Sequence, residues 1–435
     1  MTISSSLNAG VAGLAANANR LATIADNIAN SATYGYKRAE TDFHSVVFNR
    51  AGSANYTAGG VRTTSMRLID ERGPLISTSN STDLAIDGRG FFPVTTLTAA
   101  QSGQAGAFPL MLMTTGSFRP DNEGILRSAL GHVLMGWPAA TNGSVGSPPR
   151  DTGVGLEPVR IYENQYISNP TLQMKLGVNL PASESESTGA GNPIDFSIEY
   201  FTNLGGSEDL TFTFTPTVPA AGASNEWTMT VVDSATGAAP IAEYTLTFND
   251  TQTAGGTLAS VAAVSGGAYD PLTGILPLTV AGGAINLEIG RFGVPSGMTQ
   301  IDSPFAPVSV SKDGSGVATL TGVEVDPQGF LNAIYDQGFS RRIYQIPVID
   351  VANANGLETL AEQTYGITQA SGTPYLWDSG TGPTGTLQGF AREESATDVA
   401  GELTQLIQTQ RAYSSNAKVI QTVDEMLQET TNIKR

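Results

Sequence analysis

Few residue patterns in this chain have the types and spacing that catalysis needs, and the first is a glycine pattern. Gly380, Gly382 and Gly385 fit G-x-G-x-x-G, in which glycines let the backbone approach a phosphate group at the start of a helix. The flanking sequence shows no strand before the pattern and no helix after it, so the geometry that holds a phosphate is missing. The pattern therefore predicts a glycine-rich connector and no nucleotide cofactor.

Two further patterns could serve acyl transfer or metal and base chemistry. Ser309 and Lys312 fit S-x-x-K, but the companion motifs of a serine acyl-enzyme are absent from the sequence. The two histidines, His44 and His132, have no neighbouring cluster of ligands, which favours packing roles over a metal site or a general base. The absence of cysteine excludes disulfides and thiol catalysis. The sequence predicts a protein that is not an enzyme and has no cofactor and no metal.

Charge and hydropathy limit the classes of partner that the chain is expected to bind. The 435 residues carry 22 Lys and Arg against 40 Asp and Glu, a net charge of −18. Nucleic-acid binding rests on cationic contacts to phosphates, so nucleic acid is not expected as a partner. No run approaches the length of a membrane span, and no charged-then-apolar leader is visible, so we expect neither membrane insertion nor a cleaved secretory signal.

The two ends of the chain carry the elements that must position everything else. Near each end, mostly apolar residues repeat at alternating gaps of four and three, which predicts two long helices with coiled-coil seams. The N-terminal seam consists of Leu7, Val11, Leu14, Ala18, Leu21, Ala25, Ile28 and Ala32. The apolar residues of the C-terminal seam are Val399, Leu403, Leu406, Tyr413, Ala417, Ile420 and Leu427.

The volumes of the seam residues predict assembly. Alanine takes three of the eight N-terminal positions, so two such helices bury little by themselves and require helices of other copies. Because both ends should join the same β domain, we expect the helices of one chain to run antiparallel. One register sets Leu14 opposite Ala417 and another sets Ala18 opposite Ile420, and the sequence leaves both open.

Between the helices, short alternating segments separated by turn residues predict strands. Six of them span residues 194–201, 209–214, 226–232, 242–248, 276–280 and 285–289. This spacing favours an all-β sandwich or barrel. Residues 84–94 predict a hairpin, because Asp87 to Gly90 has the composition of a tight turn. We therefore expect a mixed fold, in which long N- and C-terminal α-helices form a coiled coil and bracket two nested all-β domains.

Connector composition sets the expected domain boundaries. Residues 139–155 and 371–389 are rich in Gly, Pro, Ser or Thr, which is typical of linkers. The predicted layout has three parts: a terminal helical core with its connector at 1–70 and 375–435, a first β domain at 71–147 and 305–374, and an inserted outer β domain at 148–304.

A polar run overlaps the end of the N-terminal seam. It contains Asp26, Asn27, Asn30, Thr33, Gly35, Tyr36 and Lys37. Since Asn and Gly tolerate left-handed backbone angles, the helix should end near Asn30. The run is similar to D-N-I-A-N-x-x-T-x-G-[FY]-K, the signature of the bacterial flagellar axial proteins of rod and hook. All its fixed positions are met, and residues 81–92 resemble the S-x-D-L-A-I-x-G-x-G-F-F segment of the same family.

This resemblance implies a structural subunit of the flagellar hook, which polymerises into a helical tube and acts as a flexible joint transmitting torque from motor and rod to filament. It implies an extracellular location after export through the flagellar type III apparatus. The implied partners are further copies of the chain, the distal rod, the hook cap, the hook–filament junction proteins and the export apparatus.

One short element bears on export. Phe43 and Val47 resemble the F-x-x-x-Φ element with which early flagellar substrates dock on the export gate. An aromatic and an aliphatic residue four apart are also what any amphipathic turn offers. Both interpretations stay open on the sequence alone.

Two rival functions remain at this point. A distal rod subunit shares both end motifs but should lack an inserted β domain of this size. A secreted adhesin or enzyme with coiled-coil ends belongs to another class, and it has no need of the axial signature.

Overall fold

The computed structural model describes residues 3–46, 59–101, 109–162 and 166–433. Long helices at both ends bracket a mostly β body. In the described residues the α-helices are α1 at Ile3–Ala29, α2 at Leu97–Gln101 and α3 at Val399–Ile433, and 3-10 turns lie at Ala182–Ser185 and Ala354–Gly356. No helix in this part of the chain is long and apolar enough to cross a membrane.

The chain divides into two compact units. The first comprises Met1–Glu163, Thr321–Ile334 and Ser340–Arg435, and the second comprises Asn164–Leu320 and Tyr335–Phe339. The second unit is therefore formed mainly by one continuous insertion into the chain of the first.

Local hydrogen bonds explain where the long helices end and begin. The Asn30 Nδ2 donates to the Asp26 carbonyl oxygen at 2.9 Å and satisfies a group of the last turn of α1. At the start of α3, the Asp398 Oδ1 accepts from the Ala400 amide at 3.1 Å, the usual bond of an N-cap aspartate. α1 thus ends next to the position that the polar run predicts.

The first unit contains short antiparallel strands around one core. Among its core residues are Phe91, Leu112, Trp137, Tyr365 and Leu376, all fully buried. Its strands before the insertion are β1 Ala39–Ser45, β2 Val61–Arg67, β3 Leu75–Ser77, β4 Asp83–Asp87, β5 Phe92–Thr96, β6 Met111–Met113, β7 Thr115–Pro120, β8 Leu126–Ser128, β9 His132–Pro138 and β10 Glu157–Pro158.

The inserted segment and the chain that follows it supply the remaining strands. They are β11 Tyr166–Asn169, β12 Gln173–Pro181, β13 Ile194–Phe201, β14 Ser207–Pro216, β15 Glu226–Asp233, β16 Pro240–Phe248, β17 Leu258–Ser265, β18 Ile275–Val280, β19 Gly283–Glu288, β20 Thr299–Ile301, β21 Ala306–Lys312, β22 Ser315–Val325, β23 Phe330–Tyr335, β24 Ser340–Gln345, β25 Val348–Asp350, β26 Glu358–Thr359, β27 Thr364–Gly366, β28 Tyr375–Trp377, β29 Thr386–Gly389 and β30 Ala391–Glu393.

Two small pairings of the first unit matter for the ends of the chain. β1 and β2 form a two-stranded antiparallel ribbon that packs on α1. β3 pairs with β30, so that Leu75 lies opposite Glu393. The segment that precedes α3 is thereby fixed to the beginning of the β body.

The hairpin predicted at residues 84–94 is wrong. β4 pairs with β29 and β7, while β5 pairs with β6 and β9. The chain between β4 and β5 packs on a distant segment instead of folding back. A Cβ at Gly90 would lie 2.1 Å from the Val348 side chain. The Phe91 amide donates to the Ile349 carbonyl at 2.9 Å. Distant segments therefore replace the local partner.

The second unit packs two sheets on a shared core. β13 to β17 form one antiparallel sheet in chain order, and the other has the order β18-β19-β12-β20, with β21 also paired to β12. Along β15, Trp227, Met229 and Val231 are buried while the residues between them are half-buried, the alternation expected of a strand with one face on a core. The strands include the six predicted segments, except that β19 ends one residue before Ile289.

Candidate assembly site

α1 and α3 run antiparallel and touch along a line of mostly small and polar residues, here called the contact line. A Cβ at Gly10 would lie 3.1 Å from the Ile420 Cγ1, and a Cβ at Gly13 would lie 3.0 Å from the Asn416 side chain. Glycine thus allows an approach that a larger residue would obstruct, because helix interfaces are close-packed.

Polar side chains continue the contact line toward the β body. The Arg20 Nη2 donates to the Gln405 Oε1 at 3.2 Å, and the Asn27 Nδ2 donates to the Glu402 Oε1 at 3.0 Å. Glu402 is only 4% exposed. Burial raises the pKa of its carboxyl, against the hydrogen bond from Asn27 and the charge of Arg38, which lower it.

The predicted seams lie beside the contact line. Gly13 is one residue before Leu14, and Asn416 is one residue before Ala417. A single residue turns the direction of a side chain by about 100° around a helix. Most seam residues therefore point sideways from the contact between α1 and α3, whereas Ile420 itself meets Gly10.

The seam residues are accordingly open to solvent in the single chain. None of them is buried: Leu7, Leu14, Leu21, Ile28, Leu406 and Ile420 are half-buried, and Val11, Ala18, Ala25, Ala32, Val399, Leu403, Tyr413, Ala417 and Leu427 are exposed. Among the large side chains the exposed fraction is 52% for Val11, 46% for Leu403 and 40% for Tyr413. Exposed apolar side chains of this size at regular helical spacing are typical of interaction surfaces.

Both seams face the same side of the helix pair. Seen from one end of an antiparallel pair, side chains advance counterclockwise along one helix and clockwise along the other. The contact sides of the two helices face each other. The residue that follows a contact residue therefore points to the same side of the helix pair on α1 and on α3. The two seams thus lie on one face of the helix pair, here called the seam face, which is apolar except at Gln410 and Asp424.

Neither register expected from the seams describes the contact. The observed register moves the Leu14–Ala417 alternative back by one residue on both helices, so that Gly13 meets Asn416. The expected pairing of small with large seam residues within one chain is therefore wrong. Its physical reason is that glycine and polar side chains make most of the contact line, and these types carry no hydropathy signal.

The signature residue Asn27 joins both helices to the ribbon. Its Nδ2 donates to the Ala39 carbonyl at 2.8 Å as well as to Glu402, and its Oδ1 accepts from the Ala39 amide at 2.8 Å. The Asn27 side chain is 1% exposed. A side chain with both donor and acceptor is needed here, because the backbone of a strand offers both groups.

The other signature residues close the turn after α1. The Tyr36 hydroxyl donates to the Asp26 Oδ2 at 2.9 Å, the Asn30 Nδ2 donates to the Asp26 Oδ1 at 3.0 Å, and the Thr33 hydroxyl donates to the Asn30 Oδ1 at 3.3 Å. Burial, together with the bond to Asp26, raises the pKa of Tyr36 to about 12. Gly35 has φ +71°, a left-handed angle that glycine adopts without strain.

Lys37 ends the signature in a buried ion pair. Its Nζ donates to the Glu393 Oε1 at 2.6 Å and to the Glu71 carbonyl at 2.6 Å. The side chains of Lys37 and Glu393 are 0% and 1% exposed. Burial lowers the pKa of Lys37 to about 8, although the charge of Glu393 acts to raise it.

Sequence reasoning missed Glu393. It lies 356 residues from Lys37 along the chain and stands just before α3 in a short polar stretch that fits no motif. The one available signal was the unpaired lysine of the signature, since a buried lysine requires an acidic partner.

The structure places the export element only in part. Phe43 lies on β1, and its ring centre is 5.6 Å from the Arg20 guanidinium carbon. Val47 lies outside the described residues. In the folded chain Phe43 therefore packs beside α1.

The catalytic patterns acquire no chemistry in the fold. Contrary to the sequence expectation, a strand precedes Gly380, but strand β29 and no helix follows Gly385. Lys312 pairs with Glu199 at 2.5 Å and His132 with Glu362 at 3.1 Å. Across residues 3–46, 59–101, 109–162 and 166–433, no group of three or more His, Asp and Glu could hold a metal ion.

Comparison with known proteins identifies the family. Residues 7–37 match the family described as Flagella basal body rod protein, residues 181–315 match Flagellar basal body protein FlaE D2 domain, and residues 387–433 match Flagellar basal body rod FlgEFG protein C-terminal. The chain is 32% identical over 442 residues to flagellar hook protein FlgE of Brucella suis, and 32% identical over 440 residues to that of Rhizobium meliloti, covering 100% of both chains in each case.

A solved structure of Helicobacter pylori flagellar hook protein FlgE2 aligns with 72% of this chain and 99% of that chain, with 12% sequence identity and a TM-score of 0.47. The full-length relatives and the matches at both ends and in the middle of the chain show the family. The chain therefore belongs to the flagellar hook protein FlgE family and is a structural subunit of the bacterial flagellar hook.

Proposed function

We propose that this subunit polymerises with further copies of itself into a helical tube, and that the seam face is the main contact between copies. The exposure of the seam face carries the proposal. Burial of the exposed half of a side chain such as Val11 or Leu403 contributes roughly 1 kcal/mol, and the face repeats such residues along both helices. Head-to-tail contacts that do not close into a ring generate an open helical tube.

The heptad spacing of the seam suits coiled-coil packing between copies. Residues repeating every 3.5 positions insert as knobs into holes of a facing helix. Within one chain the contact line takes Ile420 from the seam but otherwise uses different residues, so the rest of the seam remains available for this packing. The resulting tube is the flexible joint that transmits torque from motor and rod to filament.

For the domains we propose the three-part layout derived from composition: a helical core at 1–70 and 375–435, a first β domain at 71–147 and 305–374, and an outer β domain at 148–304. The compactness of the second unit and the match to a D2 domain over residues 181–315 support an inserted outer domain. Bending of the tube would then arise from sliding between β domains of neighbouring copies.

For localisation and partners we propose an exported protein that meets the distal rod, the hook cap, the hook–filament junction proteins and the type III export apparatus.

Phe43 and Val47 would dock on the export gate before folding, since Phe43 packs beside Arg20 in the folded chain. Phe43→Ala is expected to reduce secretion while purified protein still polymerises. Normal secretion of this variant would remove the docking role.

The assembly proposal is tested with a double substitution on the seam face. In Val11→Ser with Leu403→Ser, loss of about 2 kcal/mol of burial should raise the critical concentration for tube formation by more than tenfold. Leu130→Ser is the matched control, because Leu130 is as exposed as Val11, at 52%, but lies in the β body. Sedimentation and electron microscopy measure the tubes. An unchanged critical concentration in the double variant would contradict the proposal.

A further inference from the structure

One buried carboxylate connects the segments that lead into and out of the β body. The Glu393 Oε1 accepts from the Lys37 Nζ at 2.6 Å and from the Gly73 amide at 2.8 Å. Its Oε2 lies 3.8 Å from the Arg72 Nη1. The backbone carbonyl of Glu393 also accepts from the Gly35 amide at 2.9 Å. A single residue thus holds the chain after α1, the chain before β3 and the chain before α3.

The connections from this residue to the helices are short. Lys37 comes eight residues after the end of α1, and Glu393 comes six residues before the start of α3. The intervening backbone is itself bonded, because the Ala396 amide donates to the Tyr36 carbonyl at 3.0 Å. Little free chain remains to absorb a change at Glu393.

We propose that Glu393 is a positioning residue that sets the direction in which both terminal helices leave the β body. The proposal rests on the assembly function above, since helix direction matters where many copies must meet. Its contacts support this role, because they are buried and charged and they join Glu393 to two separate segments, the chain after α1 and the chain before β3. Buried ion pairs contribute little net stability compared with apolar packing and are best attested as devices of register.

The length of the helices amplifies any change in direction. α1 with 27 residues and α3 with 35 residues extend for about 40 and 50 Å at about 1.5 Å per residue. A tilt of about 5° at the junction therefore moves the far end of α3 by roughly 4 Å, nearly half of a typical interhelical distance of 8–10 Å. Such a displacement takes seam residues of one copy out of the holes of the next.

The test shortens the carboxylate without removing its charge. Glu393→Asp keeps an acceptor for Lys37 and for Gly73 but draws it back by one methylene. Glu288→Asp is the matched control, because Glu288 pairs with Lys175 at 3.4 Å in the second unit with both side chains partly exposed. We expect Glu393→Asp tubes to differ from wild type in helical rise and twist, measured by cryo-electron microscopy, and Glu288→Asp tubes to match wild type.

Glu393→Asp tubes with wild-type rise and twist would overturn the proposal, even if the variant unfolds more easily, since a merely structural role moves stability alone. Loss of tubes with unchanged circular dichroism supports it. If Glu393→Asp does not fold, Lys37→Arg replaces it, because this change keeps the charge but alters the reach, and unchanged tube geometry again overturns the proposal. Failure of the wild-type chain to form tubes would instead defeat the assembly function itself.

Discussion

Removal of the two charges of the buried ion pair should have unequal effects. Lys37 and Arg72 both face the single carboxylate of Glu393, at 2.6 and 3.8 Å. Glu393→Gln leaves the buried Lys37 and the half-buried Arg72 without this anion. Lys37→Met leaves the Glu393 carboxylate with Arg72 and the Gly73 amide, which is a balanced arrangement.

The magnitudes follow from these remaining partners. An uncompensated buried charge costs about 3–5 kcal/mol, so Glu393→Gln should destabilise the junction by this amount. Lys37→Met removes charge-assisted hydrogen bonds to Glu393 and to the Glu71 carbonyl, at a cost of about 1–3 kcal/mol. The order of the two variants is the prediction, because mere loss of contacts would make them similar.

Hydrogen exchange measures the effect where it occurs. A chain with two compact units need not unfold in one step, so peptides covering residues 30–38 and 390–398 are followed by mass spectrometry. Each 1.4 kcal/mol is a tenfold change in opening. Exchange should therefore accelerate by about 10²–10³ in Glu393→Gln and by about 10–10² in Lys37→Met.

The pH dependence provides a second check with a definite sign. Burial lowers the pKa of Lys37 from 10.5 to about 8, so above about pH 8 the unfolded chain binds more protons at this group and its contribution to stability rises with pH. In Glu393→Gln the anion that raises this pKa is gone, and Lys37 sheds its proton more readily. The deficit of Glu393→Gln should thus shrink between pH 6 and pH 9, whereas that of Lys37→Met should not. Equal deficits, or a larger one in Lys37→Met, would refute the charge argument.

Three further outcomes are expected. Glu402→Gln should stabilise the helix pair at pH 7–8 and by less in acid, because burial raises the pKa of Glu402 and the folded state loses stability as this carboxyl ionises with rising pH; hydrogen exchange in residues 399–409 reports this. Cysteines replacing Gly13 and Asn416 should form a disulfide on oxidation, which requires Cα atoms within roughly 7 Å, and a pair placed one residue later on each helix should not. Phe212→Ala, at a fully buried site of the second unit, should cost about 3–5 kcal/mol in urea unfolding.

The helices could be predicted from sequence more completely than their contacts could. The four-three spacing of Leu7 to Ile28 locates α1, and the shared attachment to the β body predicts its antiparallel direction relative to α3. An apolar pattern shows which side of a helix must be covered but does not show what covers it. Within the chain, Gly10 and Gly13 make the contact, and closeness of backbones leaves no trace in hydropathy.

Long-range partners explain the remaining differences. The strands of the second unit pair mostly with chain neighbours, so alternation and turns locate them. β4 and β5 pair with segments far along the chain, so a local turn between them misleads. Glu393 is invisible for the same reason, since its meaning comes from Lys37 at the opposite end of the sequence.

Two backbone hydrogen bonds at the base of the helices have a mechanical consequence. The Gly35 amide bonds the Glu393 carbonyl, and the Ala396 amide bonds the Tyr36 carbonyl, so the two strands of chain that carry the helices are joined side by side. A pull along either helix therefore reaches both of these bonds. Tension entering through one end of the chain is therefore shared with the other end before it reaches the β body.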